Sequence, residues 1–278
     1  MSEFIIKNGI TINKDFEELL HNEGFKSYGD FMNLKNCEPV KVKKSRSVFK
    51  FSLKDSSSEK GERVFYLKRH NYSGSEKFSS LVNLKGREDG YNEWHQTIAL
   101  REEGFNVMTP VAFGEKKLGP VPLECFTLSE EVSDCVRASD YVEGLADDGQ
   151  GVKKRVGLLV KLAGLAKDFH DKGFNHQDFY LVHFFLRLET DEIFIMDLQR
   201  VHRRQAPSTR WVVKDLGQFV FSALQTGKYT RDDLLVFWHE YFGRDKLTGG
   251  EKKMLDSIMS KAARIARHDE KLQKRSGK

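Results

Sequence analysis

Along this chain the apolar positions change their period once. Up to about residue 130 they alternate with polar ones over short runs, the spacing of half-buried strands; beyond it they return every three or four residues, the spacing of one helix face. Residues 40–53 read as two short strands around Lys43-Lys44-Ser45-Arg46-Ser47, residues 63–70 as a third, and residues 107–114 and 123–128 as two more, parted by Gly119-Pro120. One helix interrupts them: Tyr91, Trp94, Ile98 and Arg101 recur at helical spacing between residues 87 and 104, with Gly104 as a stop signal. In the second half, residues 152–172 carry Val156, Leu159, Val160, Ala163, Ala166 and Phe169 on one stripe, and Gly173 terminates it. Residues 211–224 and 232–242 repeat that pattern. Before them lie a strand-like run at 182–188, a turn at Glu189-Thr190-Asp191 and a second run at 193–196. The last helix, residues 251–274, sets Met254, Ile258, Ala262, Ile265 and Ala266 against a basic face.

With 278 residues the chain can bury a sizeable core, as one two-lobed domain or two small ones. The pattern divides it into an N-terminal extension (1–37), a strand-rich lobe (38–130) and a helical lobe (131–278) that ends in the basic helix. A net charge of +5 favours an anionic partner, although such basicity also serves solubility. Cys37, Cys125 and Cys135 lack metal-ligand spacing and are odd in number, which suits a reducing compartment. No apolar run approaches the roughly 18 residues that span a bilayer, and Met1-Ser2-Glu3-Phe4 lacks a secretory profile, so a cytoplasmic location is expected. The basic terminal helix lacks interleaved aromatics for stacking bases, so no nucleic acid is expected as a partner.

The chemistry is carried by two aspartates, each beside a short apolar run. Asp178 follows Asn175-His176-Gln177, and Asp197 stands in Met196-Asp197-Leu198-Gln199. Phosphoryl transfer needs little covalent chemistry: a hydroxyl placed in line with the γ-phosphorus, and charge neutralised by lysine and Mg²⁺. Asp178 fits the proton acceptor and Asp197 the metal ligand of a protein-kinase pattern, with His183 five residues on where that pattern has Asn. Either aspartate alone is more often a helix cap or a solvated loop residue; their order, after a helix end and around a hairpin, points to catalysis.

Upstream, Lys68 on the 63–70 strand is the candidate to reach the phosphates of ATP, with Arg69 its neighbouring rival. Glu93 is assigned to hold it, with Glu88 competing. A solvated edge lysine and a surface glutamate are the plainer alternatives. At Ser129-Glu130-Glu131-Val132 the chain crosses to the second lobe, and backbone groups around Glu131 are expected to meet adenine. Asp215 reads equally as a buried carboxylate accepting amides from the Asp178 turn or as a surface residue at a helix start. The glycine-rich phosphate loop of protein kinases is missing.

Taken together, Phe65-Tyr66-Leu67-Lys68-Arg69-His70, Glu93-Trp94, Pro110-Val111-Ala112-Phe113-Gly114-Glu115, the run from Asn175 through Asp178 to Phe184, and Asp197-Leu198-Gln199-Arg200 resemble the Kdo/WaaP lipopolysaccharide kinase family, which includes InaA-like proteins, over about residues 45–225. The resemblance implies an α+β, bilobal protein-kinase-like fold. It implies ATP and Mg²⁺ as cofactors, and a heptose or Kdo sugar of the lipopolysaccharide inner core as acceptor. That acceptor would be met as core oligosaccharide or lipid-linked sugar at the inner face of the bacterial cytoplasmic membrane. His183 is similar to the heptose-kinase branch, and a neutral imidazole nitrogen can ligate a metal. Gln177 departs from the family, which usually carries Arg there. The absent glycine loop, Gln177 and His183 motivate a rival expectation, a pseudokinase or stress-response binding module without turnover. Arg264, Arg267, Lys271, Lys274 and Arg275 on the terminal helix suit peripheral contact with an anionic membrane, at about 1 kcal/mol each near the surface; a solvated helix face is the commoner meaning of such a run.

Overall fold

The computed structural model describes residues 3–43, 45–72, 90–119, 121–205 and 208–277. The chain forms two compact units, Met1–Ser133 with Leu198–Arg200, and Asp134–Asp197 with Val201–Lys278. Glu88 lies outside the described residues.

The first unit is a seven-stranded antiparallel sheet in the order β1-β2-β6-β7-β5-β4-β3. Its strands are β1 (Phe4–Lys7), β2 (Ile10–Asn13), β3 (Glu38–Lys43), β4 (Arg46–Lys54), β5 (Glu62–Asn71), β6 (Pro110–Leu118) and β7 (Val121–Glu130). Asn8 and Gly9, at φ 50° and 74°, make the two-residue turn joining β1 to β2, because a hairpin that tight needs left-handed residues. Helices α1 (Glu17–Asn22) and α2 (Tyr28–Met32) supply Leu20 and Phe31 to a core with Ile10, Phe51, Phe65, Leu67, Phe126 and Leu128.

Strand alternation then sorts the sheet's two faces. Phe126 and Leu128 of β7 point into that core, whereas Cys125, just before them on the opposite face, joins Trp94 and Phe113 against α3 (Gly90–Glu102). On β5 the same alternation sends Leu67 into the core and Lys68 to the α3 side. Within the 1–37 stretch, which the sequence pattern set apart as an extension, residues 4–13 add two strands to this sheet and Phe16, Leu20, Phe25 and Phe31 enter its core. Four-residue strands and helices of five or six residues are too short to show a period.

The second unit holds α4 (Ala138–Glu143), α5 (Gly149–Asp171), α6 (Thr209–Gln225), α7 (Asp233–Phe242) and α8 (Gly249–Arg275). A small sheet runs β11 (Glu192–Ile195), β10 (Phe184–Arg187), β8 (Val136–Arg137), and β9 (Phe174–Asn175) pairs with β12 (His202–Arg203). The side chain of Asp148 caps α5 at the Gly151 amide, 2.7 Å, and Gly173 ends it at φ 89°. A Cβ on Gly173 would lie 2.0 Å from the Arg204 carbonyl oxygen, so only glycine fits there. Helix α5 packs on α7, and α6 on α8. Phe169, Phe174, Phe179, Phe184, Phe219 and Phe237 fill the core in ring-to-ring contact. The run expected as one strand over 182–188 begins instead with a single helical turn, Leu181–His183, before β10. Among the described residues no helix is long and apolar enough to cross a membrane.

Candidate active site

In the second unit the chain from Phe174 to Leu181 is shaped by one face of α6. Asp215, wholly buried, accepts the His176 and Gln177 amides on separate oxygens, at 2.7 and 2.8 Å. One turn on, Gln218 accepts the Phe179 amide at 3.1 Å and donates to the Gln177 carbonyl at 2.9 Å. A further turn on, Ser222 Oγ accepts the Leu181 amide at 2.8 Å. Asp215, Gln218 and Ser222 stand three and four apart, so they line one helix face and act as a template for an irregular backbone. The template holds Gln177 at φ 67°, a conformation that costs a non-glycine residue roughly 1–2 kcal/mol.

Asp178 follows Gln177 and is half-buried. Two histidines connect it to Asp197. His176 Nε2 lies 2.9 Å from the Met196 carbonyl oxygen, which can only accept, so the proton sits on Nε2 and Nδ1 accepts the Asp178 amide at 3.3 Å. Burial holds the His176 imidazole below its usual range, against the opposing pull of the Asp215 carboxylate, so it stays neutral. His183 Nδ1 donates to the Asp178 carbonyl at 2.7 Å. That bond puts a proton on Nδ1 and leaves Nε2 3.8 Å from Asp197 Oδ2.

The side chains of His183 and Asp197 are 24% and 44% exposed, open enough to admit a ligand. A carboxylate beside an imidazole nitrogen suits a divalent cation that completes its shell with phosphate oxygens and water, as Mg²⁺ does. Among the described residues no three His, Cys, Asp or Glu side chains form a closed metal cage. Asp197 has φ 58°, a backbone that Asp tolerates better than most residues.

In the first unit Lys68 and Glu93 form a close ion pair, with side chains 13% and 3% exposed. Glu93 Oε2 is buried with no hydrogen-bond partner among the described residues, so the carboxylate serves Lys68 through one oxygen. Arg69 points to the other face, where it donates to the carbonyls of Phe31 and Leu34 at 3.0 and 2.9 Å; this removes it as the rival to Lys68. The Glu131 carboxylate accepts from Lys50 at 2.7 Å and Tyr66 at 3.1 Å, and its amide donates to Val64 at 2.8 Å. The Glu131 amide and carboxylate are thus both engaged within this unit.

Residues 198–200 pack with this unit. The Gln199 carbonyl accepts Asn92 Nδ2 at 2.8 Å, and the Gln199 side chain accepts the Arg46 guanidinium. The stretch that follows Asp197 is therefore tied to the helix that carries Glu93, through partners that do not involve Gln177. Between the end of β3 and the start of β4 the sequence has no glycine.

Sequence reasoning picked out Asp178, Asp197, His183, Lys68 and Glu93 and left Asp215 open. It missed the bridging of His176, and it missed Gln218 and Ser222, although three polar residues at helical spacing inside an apolar helix are a visible signal. It also missed Asn92 and Arg46, whose partners lie more than a hundred residues away in the sequence.

A family model described as the lipopolysaccharide kinase (Kdo/WaaP) family matches residues 37–241. The chain is 29% identical over 240 residues to the lipopolysaccharide core heptose(I) kinase WaaP of Escherichia coli (strain K12), covering 83% of this chain and 88% of that relative. A second Escherichia coli protein of that name is 30% identical over 217 residues, 74% of this chain and 82% of its own length. A solved structure of WaaP in complex with acyl carrier protein superposes at a TM-score of 0.68, over 97% of this chain and 99% of that one. Its identity is 24%, so it speaks to fold alone, and that fold is the α+β, kinase-like one.

Proposed function

This chain belongs to the lipopolysaccharide kinase (Kdo/WaaP) family, and from that premise we propose that it transfers the γ-phosphoryl group of ATP to a hydroxyl of a lipopolysaccharide inner-core heptose. The observation that carries the reading is the pair of histidines that fix Asp178 and Asp197 in one constellation with defined tautomers. In this reading Asp178 orients the acceptor hydroxyl and takes its proton, a contribution of about 10²–10⁴ in rate. Asp197 and His183 would hold Mg²⁺, which when bound neutralises charge on the transferring phosphate. Lys68, fixed by Glu93, pairs with the nucleotide phosphates. The Glu131 carbonyl accepts from the amine of adenine.

No glycine turn covers the phosphates, so Lys68 carries more of their binding than in a protein kinase. The exposed basic face of α8, with Arg264, Arg267 and Lys271, supports work at an anionic membrane surface on the cytoplasmic side. Flotation with anionic and with neutral vesicles tests this, and equal recovery would contradict it.

The test of the main reading is transfer of labelled phosphate from ATP to purified inner-core oligosaccharide, with mass spectrometry to locate it. Asp178→Asn should lose at least a hundredfold in kcat while nucleotide binding survives. Transfer by Asp178→Asn at the parent's rate would show that another group takes the proton. Label found on Kdo rather than heptose would reassign the acceptor.

A further inference from the structure

Next to the Asp178 turn, in the same unit, three cations converge on one indole. Arg204 and Arg210 each place Cζ 5.2 Å from the Trp211 ring centre, and Lys214 places Nζ at 5.6 Å. Lys214 also reaches Gln177 Oε1 at 3.4 Å, one residue from Asp178, and Arg204 Nε donates to Asn175 Oδ1 at 3.1 Å. Arg204 and Arg210 are exposed, and neither has an acidic partner among the described residues.

Like charges gathered this closely repel one another, and the ring's quadrupole returns only about 0.5–1 kcal/mol for each exposed cation. The first turn of α6 contains no acidic residue, so its positive dipole end adds to the same field. A protein that only needed to stabilise this corner would set a carboxylate there. Beside the cluster, Asn175 is fully buried, and its Nδ2 has no hydrogen-bond partner among the described residues. Two guanidinium groups without a carboxylate partner among the described residues and a leftover buried donor, adjoining the residue that receives the acceptor's proton, describe a binding site for an anion carried by the acceptor.

We propose that Trp211, Arg204 and Arg210 form the acceptor subsite, in which the two guanidinium groups, carried on the indole, take an anionic substituent of the acceptor sugar or its neighbour. The assignment rests on the kinase reading above and extends it: the acceptor is an acidic glycoside, selected by its charge as well as by its hydroxyl. A guanidinium held by its face keeps its in-plane N–H fork for a phosphate or carboxylate.

Full-length protein without nucleotide is titrated with inner-core oligosaccharide while tryptophan fluorescence is followed. Trp94 and Trp238 are 4% and 2% exposed, so a change on binding reports chiefly on Trp211. Saturable quenching is expected, weakened about tenfold in Arg210→Gln, since one charged hydrogen bond is worth roughly that factor. Among the described residues Arg210 meets the Trp211 ring and makes no hydrogen bond or ion pair, so this variant keeps its thermal midpoint. In steady state, Arg210→Gln should raise the acceptor KM about tenfold and leave the ATP KM unchanged. Acceptors stripped of phosphate, or with reduced carboxyl groups, identify the anion: the one on which wild type and Arg210→Gln become equal has lost the group read here.

Unchanged acceptor KM and quenching in Arg210→Gln would overturn the proposal, as would an equal loss on both stripped acceptors. A lowered midpoint with unchanged KM would overturn it in favour of a structural role. Binding and quenching by wild type without any transfer would sink the kinase reading and leave the subsite standing.

Discussion

Replacing Asp215 with Asn is the sharpest test of how the turn before Asp178 is held. The carboxylate accepts two backbone amides on two oxygens in a fully buried position, and His170 Nε2 lies 3.5 Å from Oδ2. Asn keeps the shape but offers one acceptor, and its NH₂ group must face the other N–H. A charge-assisted bond lost costs about 1.5–3 kcal/mol, and a buried N–H left facing a donor costs about 1–3 kcal/mol. The sum, about 2.5–6 kcal/mol, is a large part of the roughly 5–15 kcal/mol that holds a folded protein together. The same change frees Gln177 from its left-handed conformation, so Asp178 loses its direction.

Urea unfolding followed by fluorescence, together with phosphotransfer, should show Asp215→Asn losing both stability and turnover. Asp178→Asn, half-exposed and outside the α6 template, should lose turnover alone. Wild-type midpoint and rate in Asp215→Asn would refute the template argument.

Gly173→Ala should cost more than about 2 kcal/mol, because it combines the left-handed penalty with a contact of 2.0 Å to the Arg204 carbonyl; thermal denaturation reads this, and a midpoint within a degree of wild type would contradict it. Lys68→Met should raise the ATP KM at least tenfold with the acceptor KM unchanged, measured by steady-state transfer; an unchanged ATP KM would remove Lys68 from phosphate binding. Because burial lowers the His176 pKa from its usual value of 6.5, the unfolded chain takes up that proton before the folded protein does. Stability should therefore be flat above neutral pH and fall as pH drops through 6.5 and below, and His176→Gln should flatten that part of the slope; an identical slope in both would show that His176 does not contribute it.

What the sequence revealed followed periodicity and local motif. Helices α5, α6, α7 and α8 announced themselves because each is at least ten residues long with a continuous stripe, and Lys68, Asp178 and Asp197 because each sits at a fixed place relative to a strand or turn. Alternation alone, carried one step further, separates Lys68 from Arg69. The template face of α6 lay hidden because Asp215, Gln218 and Ser222 interrupt an apolar stripe and read as noise unless their spacing is counted. The tautomers of His176 and His183 depend on carbonyls that no sequence pattern places. Asn92 and Arg46 meet Gln199 only after the fold forms, so nothing local could name them.

The first thirty-seven residues have a practical consequence. The family match begins at residue 37, which invites trimming the gene there. Such a product would leave β6 with bare amides and carbonyls along one edge and would strip Ile10, Phe16, Leu20 and Phe31 from the interior. Unprotected edges recruit strands from other molecules. Shortened versions should collect as aggregates, and an inactive preparation of one would report on solubility rather than chemistry.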